Sequence, residues 1–477
     1  MRRIVVLIAA ISYGVAVNEP NLRPLLLVLF VGVLMGALDL AIIGPALPAI
    51  QADLGLDARS LAWIFNIYVL FQLMGTPLMA KLSDRYGRRA IYVLNLALFG
   101  LGSLILATAP SFAVLLVGRA IQGLGAGGIF PVASAVIGDT FPPEKRGQTL
   151  GLLGAVFGIA FLVGPILGGV LLRFSWHWLF LINLPIVLLL IWQALRLLPG
   201  TRAADPKPFD AAGALSLSLV LGSLAIVFTE MDSSRLLESL TSLPVAPFAL
   251  LVIVLTPVFW AIERRAADPI LPPRLLSSLQ MRLTSAIAIG TGTLEAGSAF
   301  FPALAVAALG VTDYNASLLM LPSVLATTIG APLTGRMLNG MGSRLIVQLG
   351  LAGVAIGTLM YALLDLTLAI FIVGGIIGGF GFSALLGAPL RFIVLNEAEA
   401  ADRGTAQGLL TVFLAIGQLS GAAVIGGVAT SRGGGTDGYQ MALLILGILT
   451  AVLVVAAFGL KSRTVEQAEA ASTAAKA

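Results

Sequence analysis

Gly75-Thr76-Pro77-Leu78-Met79-Ala80-Lys81 returns 255 residues later as Gly330-Ala331-Pro332-Leu333-Thr334-Gly335-Arg336. Two further pairs keep nearly the same spacing. Arg146-Gly147-Gln148-Thr149-Leu150-Gly151-Leu152-Leu153 matches Arg403-Gly404-Thr405-Ala406-Gln407-Gly408-Leu409-Leu410 at 257, and Gly36-Ala37-Leu38-Asp39 falls on Gly292-Thr293-Leu294-Glu295 at 256. Three matches within two residues of one offset mark an internal duplication, and a duplication constrains the fold before any local assignment does.

The composition says what is duplicated. Of 477 residues, 58% are apolar and 11% charged, with a mean hydropathy of +1.02. A soluble domain carries about 25% charged residues, so an ordinary soluble globule and a disordered chain are both excluded. Fourteen membrane spans of about 20 residues need roughly 280 residues, which the apolar fraction just supplies. Hydropathy places them near 24–50, 59–80, 89–109, 112–138, 148–172, 177–198, 211–229, 245–262, 283–309, 315–338, 344–363, 368–395, 404–428 and 438–460. All are expected to be helices, because backbone in lipid must satisfy itself and no ten-residue alternation of a barrel strand is present.

On this division the repeat relates spans one to six to spans nine to fourteen. The expected architecture is all-α and polytopic: a segment 1–23 at the interface or in the cytoplasm, a six-helix bundle over 24–198, a linker with two inserted helices over 199–282, a second six-helix bundle over 283–460, and a tail over 461–477. Parallel six-span halves around a midplane site are a transporter design. Met1-Arg2-Arg3 and the apolar run that follows resemble the start of a signal peptide, yet the run is short for a span and no small-residue cleavage site follows.

Charge fixes the expected orientation. Alternate loops, taken with both termini, hold 22 Lys and Arg, and the opposite set holds only Arg59, Arg173, Arg235 and Arg432. The excess predicts cytoplasmic termini, which also explains the net charge of +5 without nucleic acid. With no Cys and one His, His177, thiolate and His-rich metal sites are excluded. His177 stands between Trp176 and Trp178, where an interfacial aromatic belt accounts for it.

Lys81-Leu82-Ser83-Asp84-Arg85-Tyr86-Gly87-Arg88-Arg89, between spans two and three, resembles the signature loop of the major facilitator superfamily. Arg119-Ala120-Ile121-Gln122-Gly123-Leu124-Gly125 resembles its Arg-x-x-Gln-Gly motif, and Gly164-Pro165-Ile166-Leu167-Gly168-Gly169 its antiporter motif. Leu38-Asp39 and Trp176-His177-Trp178-Leu179-Phe180-Leu181-Ile182-Asn183-Leu184-Pro185 resemble the fourteen-span drug/proton antiporter branch. Ala80 stands where the signature loop usually opens on Gly, and Ala160 where the antiporter motif usually has Gly. The resemblance implies a major facilitator fold and proton-driven export, with no cofactor beyond the proton gradient.

Each motif also has a plainer reading. The glycines of spans four and five, among them Gly164, Gly168 and Gly169 beside Pro165, serve close helix packing. The arginines of the loop serve as a positive-inside anchor, which leaves Asp84 and Gly87 less well explained. Asn66, Gln72, Gln122, Phe300 and Phe301 are candidate cavity residues, although interhelical hydrogen bonding explains such polar groups equally well. Asp39, Arg119 and Glu295 differ, because ionisable groups within spans are costly and mark ion or substrate pathways. Arg391 lies near enough to the end of span twelve to snorkel.

Counting helical rise puts Asp39 and Arg119 at one depth. Asp39 is about 22 Å from the inner end of span one, and Arg119 about 10 Å below the outer boundary in span four. A carboxylate with a cationic partner stays ionised, and one desolvated without a partner favours the neutral acid, so the two are expected to load and release a proton. Glu295, the repeat-mate of Asp39, is a candidate second proton site or contact for a cationic substrate. The family resemblance implies that Asp84 docks on a helix of the second half, and the repeat suggests the start of span thirteen near Gly404. Arg88, with Asp139 or Glu144, would complete a charge network there.

No Walker sequence, metal-ligand cluster or Ser-His-Asp set supports an enzyme. The leading expectation is a proton-coupled antiporter in a bacterial inner or cytoplasmic membrane, exporting small lipophilic compounds, cationic ones among them. Export or leaflet transfer of a lipid or glycolipid is the alternative. A non-transporting membrane scaffold or sensor is the alternative of another class.

Overall fold

Apolar runs punctuated by Gly, Pro and charge become helices along the chain. The computed structural model describes residues 22–466 apart from 57, 201–209, 232–234, 299, 400–401 and 433–434, together with residue 468. Most of the expected N-terminal segment and of the tail therefore lie outside the described residues. The first half comprises α1 (Leu22–Leu54), α2 (Ala58–Tyr86), α3 (Arg88–Ala107), α4 (Phe112–Thr140), α5 (Pro143–Leu171), the short α6 (Trp178–Leu181) and α7 (Asn183–Leu197). The inserted region holds α8 (Ala211–Glu230), the short α9 (Leu236–Leu240) and α10 (Ala246–Glu263). The second half comprises α11 (Leu279–Ser298), α12 (Phe301–Leu309), α13 (Asp313–Leu318), α14 (Leu321–Met341), α15 (Ser343–Leu363), α16 (Leu368–Leu386), α17 (Ala388–Glu397), α18 (Arg403–Ser431) and α19 (Thr436–Ala456).

Helix covers all fourteen apolar segments, and no strand occurs among the described residues. Eleven stretches are long and apolar enough to cross a membrane, and α11 with α12, bent by 41°, would be a twelfth. Two long helices fall outside that count: α5, which contains undescribed side chains, and α14, which carries Arg336 among glycines and threonines. Fourteen crossings thus remain an expectation with a direct test. Reporter fusions placed after α7 and after α10 should both read cytoplasmic. A periplasmic signal after α10 would remove the inserted pair from the topology.

The duplication is visible in the backbone. Gly87 and Gly342, 255 residues apart, are the N-caps of α3 and α15, and both have positive φ, 96° and 77°. That conformation is open to Gly and costly for other residues. The halves meet crosswise, with the fifth helix of each half against the second helix of the other: α5 on α14, and α18 on α2. Repeat-mates Gly151 and Gly408 sit at these two seams. A Cβ on Gly151 would stand 2.5 Å from the Ala331 carbonyl oxygen, and one on Gly408 would stand 2.6 Å from the Ala80 Cβ. Gly408 thereby accommodates Ala80 in place of the usual glycine.

Two large apolar clusters fill the halves. One centres on Leu29, Tyr92, Phe99 and Val136, the other on Leu351, Tyr361, Phe371 and Leu410. Leu338, Ala388 and Leu395 of the second half join the first cluster, so the halves are packed together at the end that carries the basic loops, called here the basic end. The inserted α8 covers the outside of the α2–α18 seam, where Leu217 and Leu221 pack with Leu73 of α2 and Val412 of α18. Helix α10 packs on α8 and leaves Leu250, Ile253 and Val254 exposed, as a lipid-facing helix would. The segment after α10 is tied to both halves, by Lys81–Asp268 at 2.6 Å and Arg274–Asp402 at 2.5 Å.

Candidate functional site

Small residues let the polar groups of the first half converge. A Cβ on Gly102 of α3 would stand 2.5 Å from the Gln122 nitrogen, and one on Gly123 of α4 would stand 2.3 Å from the Tyr68 carbonyl oxygen. The resulting close approach of α2, α3 and α4 turns Arg119 and Gln122 toward Asp39 on α1. Arg119 Nη1 donates to Asp39 Oδ2 at 2.6 Å and to Gln122 Oε1 at 2.7 Å. Gln122 Nε2 in turn donates to Asp39 Oδ1 at 2.8 Å and to Ser103 Oγ at 3.0 Å. Asn183 of α7 points its amide at the same two acceptors, at 3.5 and 3.4 Å.

Arg119 also donates through Nε to the Ile64 carbonyl at 3.0 Å, and its guanidinium lies 4.2 Å from the Tyr68 ring centroid. Every side chain in this network is buried. Among the described residues, Arg119 Nη2 and the Tyr68 hydroxyl have no hydrogen-bond partner. Five helices therefore share one ion pair, and neutralising Asp39 would remove its only negative charge. Asp39 and Arg119 meet; Gln122, expected in the cavity, is wholly buried as their bridge. Tyr68 and Ser103 carried no sequence signal, being an aromatic and a serine on apolar helices like several others.

The second constellation lies at the basic end. Asp84, closing α2, accepts from the main-chain N–H of Gly404 at 2.9 Å and of Thr405 at 2.7 Å, and from Thr405 Oγ1 at 2.6 Å. It also pairs with Arg88. The exposed amides and positive end of α18 suit a carboxylate. A Cβ on Gly404 would stand 2.5 Å from Arg88 Nη1 and 2.6 Å from Asp84 Oδ1, so a larger residue there would press on the docked pair. Arg88 Nε donates to Asp139 Oδ2 and Arg403 Nη1 to Asp139 Oδ1, each at 2.9 Å. Glu144 takes part through its main-chain carbonyl, which accepts from Asn339 Nδ2 at 2.6 Å. Asn339 is the repeat-mate of Asp84, so the two loop copies grip the opposite half at corresponding places, one with charge and one without.

The remaining candidates separate. Glu295 is half-buried on α11 and accepts from the exposed Gln418 of α18 at 2.8 Å. Gly164 meets Ala41 of α1, where an added Cβ would stand 2.6 Å from the alanine Cβ; Gly168 is buried, Gly169 faces open space, and the Pro165 side chain lies outside the described residues. Asn66 and Gln72 are half-buried on α2. Phe300 approaches Tyr439, with ring centroids 6.3 Å apart. Phe301, its neighbour at the start of α12, is buried in the second half, edge-on to Tyr361 at 5.0 Å. Arg391 does not snorkel. It is buried and lies over the Phe130 ring. His177 stacks on Trp176 at 3.6 Å, and Trp176 Nε1 donates to Asp53 at 2.9 Å.

Comparison with known proteins agrees with this geometry. The family model of the Major Facilitator Superfamily matches residues 29–294 and 284–476. The chain is 38% identical over 394 residues to the uncharacterized MFS-type transporter YfiU of Bacillus subtilis (strain 168), covering 81% of this chain and 76% of that one. It is 29% identical over 422 residues to multidrug resistance protein 3 of the same organism, covering 87% and 81%. The crystal structure of the human organic anion transporter MFSD10 (TETRAN) superposes with a TM-score of 0.69 at 20% identity, covering 91% of this chain and all of that one; this last likeness concerns the fold.

Proposed function

Because the chain belongs to the Major Facilitator Superfamily, we propose that this integral membrane transporter is a proton-coupled antiporter exporting lipophilic compounds by alternating access. The observation that carries the reading is the buried network of Asp39, Arg119 and Gln122. An ionised pair in the membrane interior is costly to build and marks an ion pathway. The name of multidrug resistance protein 3 supports drug-like cargo.

With the basic end toward the cytoplasm, the Asp84 latch closes the inner side. A proton arriving from outside neutralises Asp39 and dissolves its attraction for Arg119, which keeps Gln122 and the Ile64 carbonyl as acceptors. Helix α1 is then free to shift against α4. Opening of the inner side exposes the acid to a less acidic compartment, the proton leaves, and substrate takes its place. Re-forming the ion pair favours return. The protein's share of the work is to make one charge-state change reach five helices.

The exposure of its partner Gln418 supports a cargo-contact role for Glu295. Reconstituted vesicles under an imposed pH gradient test both statements. Wild-type protein should export ethidium and the neutral dye N-phenyl-1-naphthylamine faster than empty vesicles leak them, and Glu295→Gln should slow ethidium far more than the neutral dye. Leakage rates equal to those of empty vesicles would refute the exporter. Equal losses for both dyes would remove the contact role of Glu295, and movement of a fluorescent lipid in place of either dye would favour lipid cargo.

A further inference from the structure

Two buried cations among the described residues belong to neither the Asp39 network nor the Asp84 latch: Lys81, which pairs with Asp268, and Arg391. Arg391 sits on α17, six residues before that helix ends, and is 5% exposed. Its guanidinium lies 3.8 Å from the centroid of Phe130, which belongs to α4 in the other half. Its polar contact is a long one, Nη1 to Gln407 Oε1 at 3.3 Å. Among the described residues, no carboxylate pairs with it. One turn along α4 from Phe130, the Ser134 hydroxyl is wholly buried and without a partner. Phe130 and Gly138, which flank Ser134 at helical spacing, face α17 through Arg391 and Leu395, so Ser134 lies on the same strip.

A seam meant only to close would be apolar here, as it is one layer away where Leu395 meets Gly138. A guanidinium buried without a counter-charge is unfavourable, and stacking on one ring offsets only part of that. The cost makes sense if the group is used in the other state. Gln407, which touches Arg391, is two residues beyond Thr405, about 3 Å along the helix axis, so the cation lies directly behind the latch. Release of Asp84 would part α4 from α17 and leave a guanidinium facing a hydroxyl across the inner vestibule. That pairing is chemistry for an oxyanion.

We infer that Arg391 and Ser134 form an inward-facing subsite for the anionic group of a lipophilic acid, carboxylate, sulfonate or phosphate, which Phe130 covers when the inner latch is closed. Affinity for the anion then exists on the loading side and is withdrawn on the releasing side, the differential that a ligand-driven cycle needs. The inference rests on the exporter reading and is independent of Glu295.

The test uses the full chain in phosphatidylcholine nanodiscs, with Asp84→Asn as the background that populates the inner-open state. Equilibrium binding of 8-anilinonaphthalene-1-sulfonate is compared with that of its neutral parent N-phenyl-1-naphthylamine, with empty nanodiscs subtracted. Arg391→Gln should weaken the sulfonate roughly 10-fold, the scale of one charge-assisted contact, and leave the neutral dye unchanged, while Arg391→Lys should recover part of the loss. Ser134→Ala gives a smaller loss of the same selectivity and is readable even if Arg391→Gln does not fold. Equal losses for both dyes in both variants would overturn the subsite and leave the exporter standing; failure of the Asp84→Asn background to bind either dye would count against the exporter itself. Added phosphatidylglycerol that displaces the sulfonate would identify a lipid phosphate as the anion, and absence of displacement would identify a dissolved acid.

Discussion

Asp39→Asn should abolish gradient-driven export while substrate still binds. The asparagine keeps the shape and an acceptor for Arg119, but it cannot carry a proton on and off. Export should therefore fall to the rate measured without a pH gradient, whereas dye binding to the purified protein stays near the wild-type value. The variant also leaves Arg119 buried without its counter-charge, and losing one partner of a buried pair costs about 3 kcal/mol. Thermal unfolding in detergent should register that loss, so transport is normalised to folded protein. Undiminished gradient-driven export would show that the coupling proton resides elsewhere.

The second large effect is expected at the latch. Asp84→Asn removes the charge from three hydrogen bonds to Gly404 and Thr405 and from the pair with Arg88. Charged hydrogen bonds contribute about 1.5–3 kcal/mol each. A net weakening of about 3 kcal/mol would shift the balance of inner-closed and inner-open states roughly 100-fold. Turnover should drop while binding survives, and cysteine pairs placed across the α2–α18 seam near the basic end should crosslink less. Wild-type turnover with unchanged crosslinking would leave Asp84 a purely topological role. The repeat-mate supplies a control: Asn339→Ala removes one uncharged bond and should move the balance much less.

The helical, duplicated design was legible because it rests on hydropathy and on spacing. Gly87 and Gly342 fall at one offset in sequence and adopt one backbone conformation. Depth was legible too, since Asp39 and Arg119 follow from counting helical rise. Rotation about each helix axis was not, and rotation decides contact. It is set by where Gly102 and Gly123 let neighbouring backbones close in, and nothing in a single sequence says which neighbour that is. The same holds for Gln122, whose bridging of the ion pair depends on helix rotation, and for the neighbours Phe300 and Phe301, which meet different rings, Tyr439 and Tyr361. Arg391 shows the limit most clearly. Its distance from the helix end allowed snorkelling, but Phe130 comes from another half of the molecule, and only the packed structure brings them together.

In the proposed exchange, proton entry through Asp39 accompanies substrate exit. The most direct measurement loads vesicles with substrate, imposes no pH gradient, and records luminal pH as substrate flows out down its own gradient. With wild-type protein the lumen should acidify in step with substrate efflux, and with Asp39→Asn it should not. A lumen whose pH stays constant during wild-type efflux, or falls equally with the variant, would contradict proton exchange through this residue.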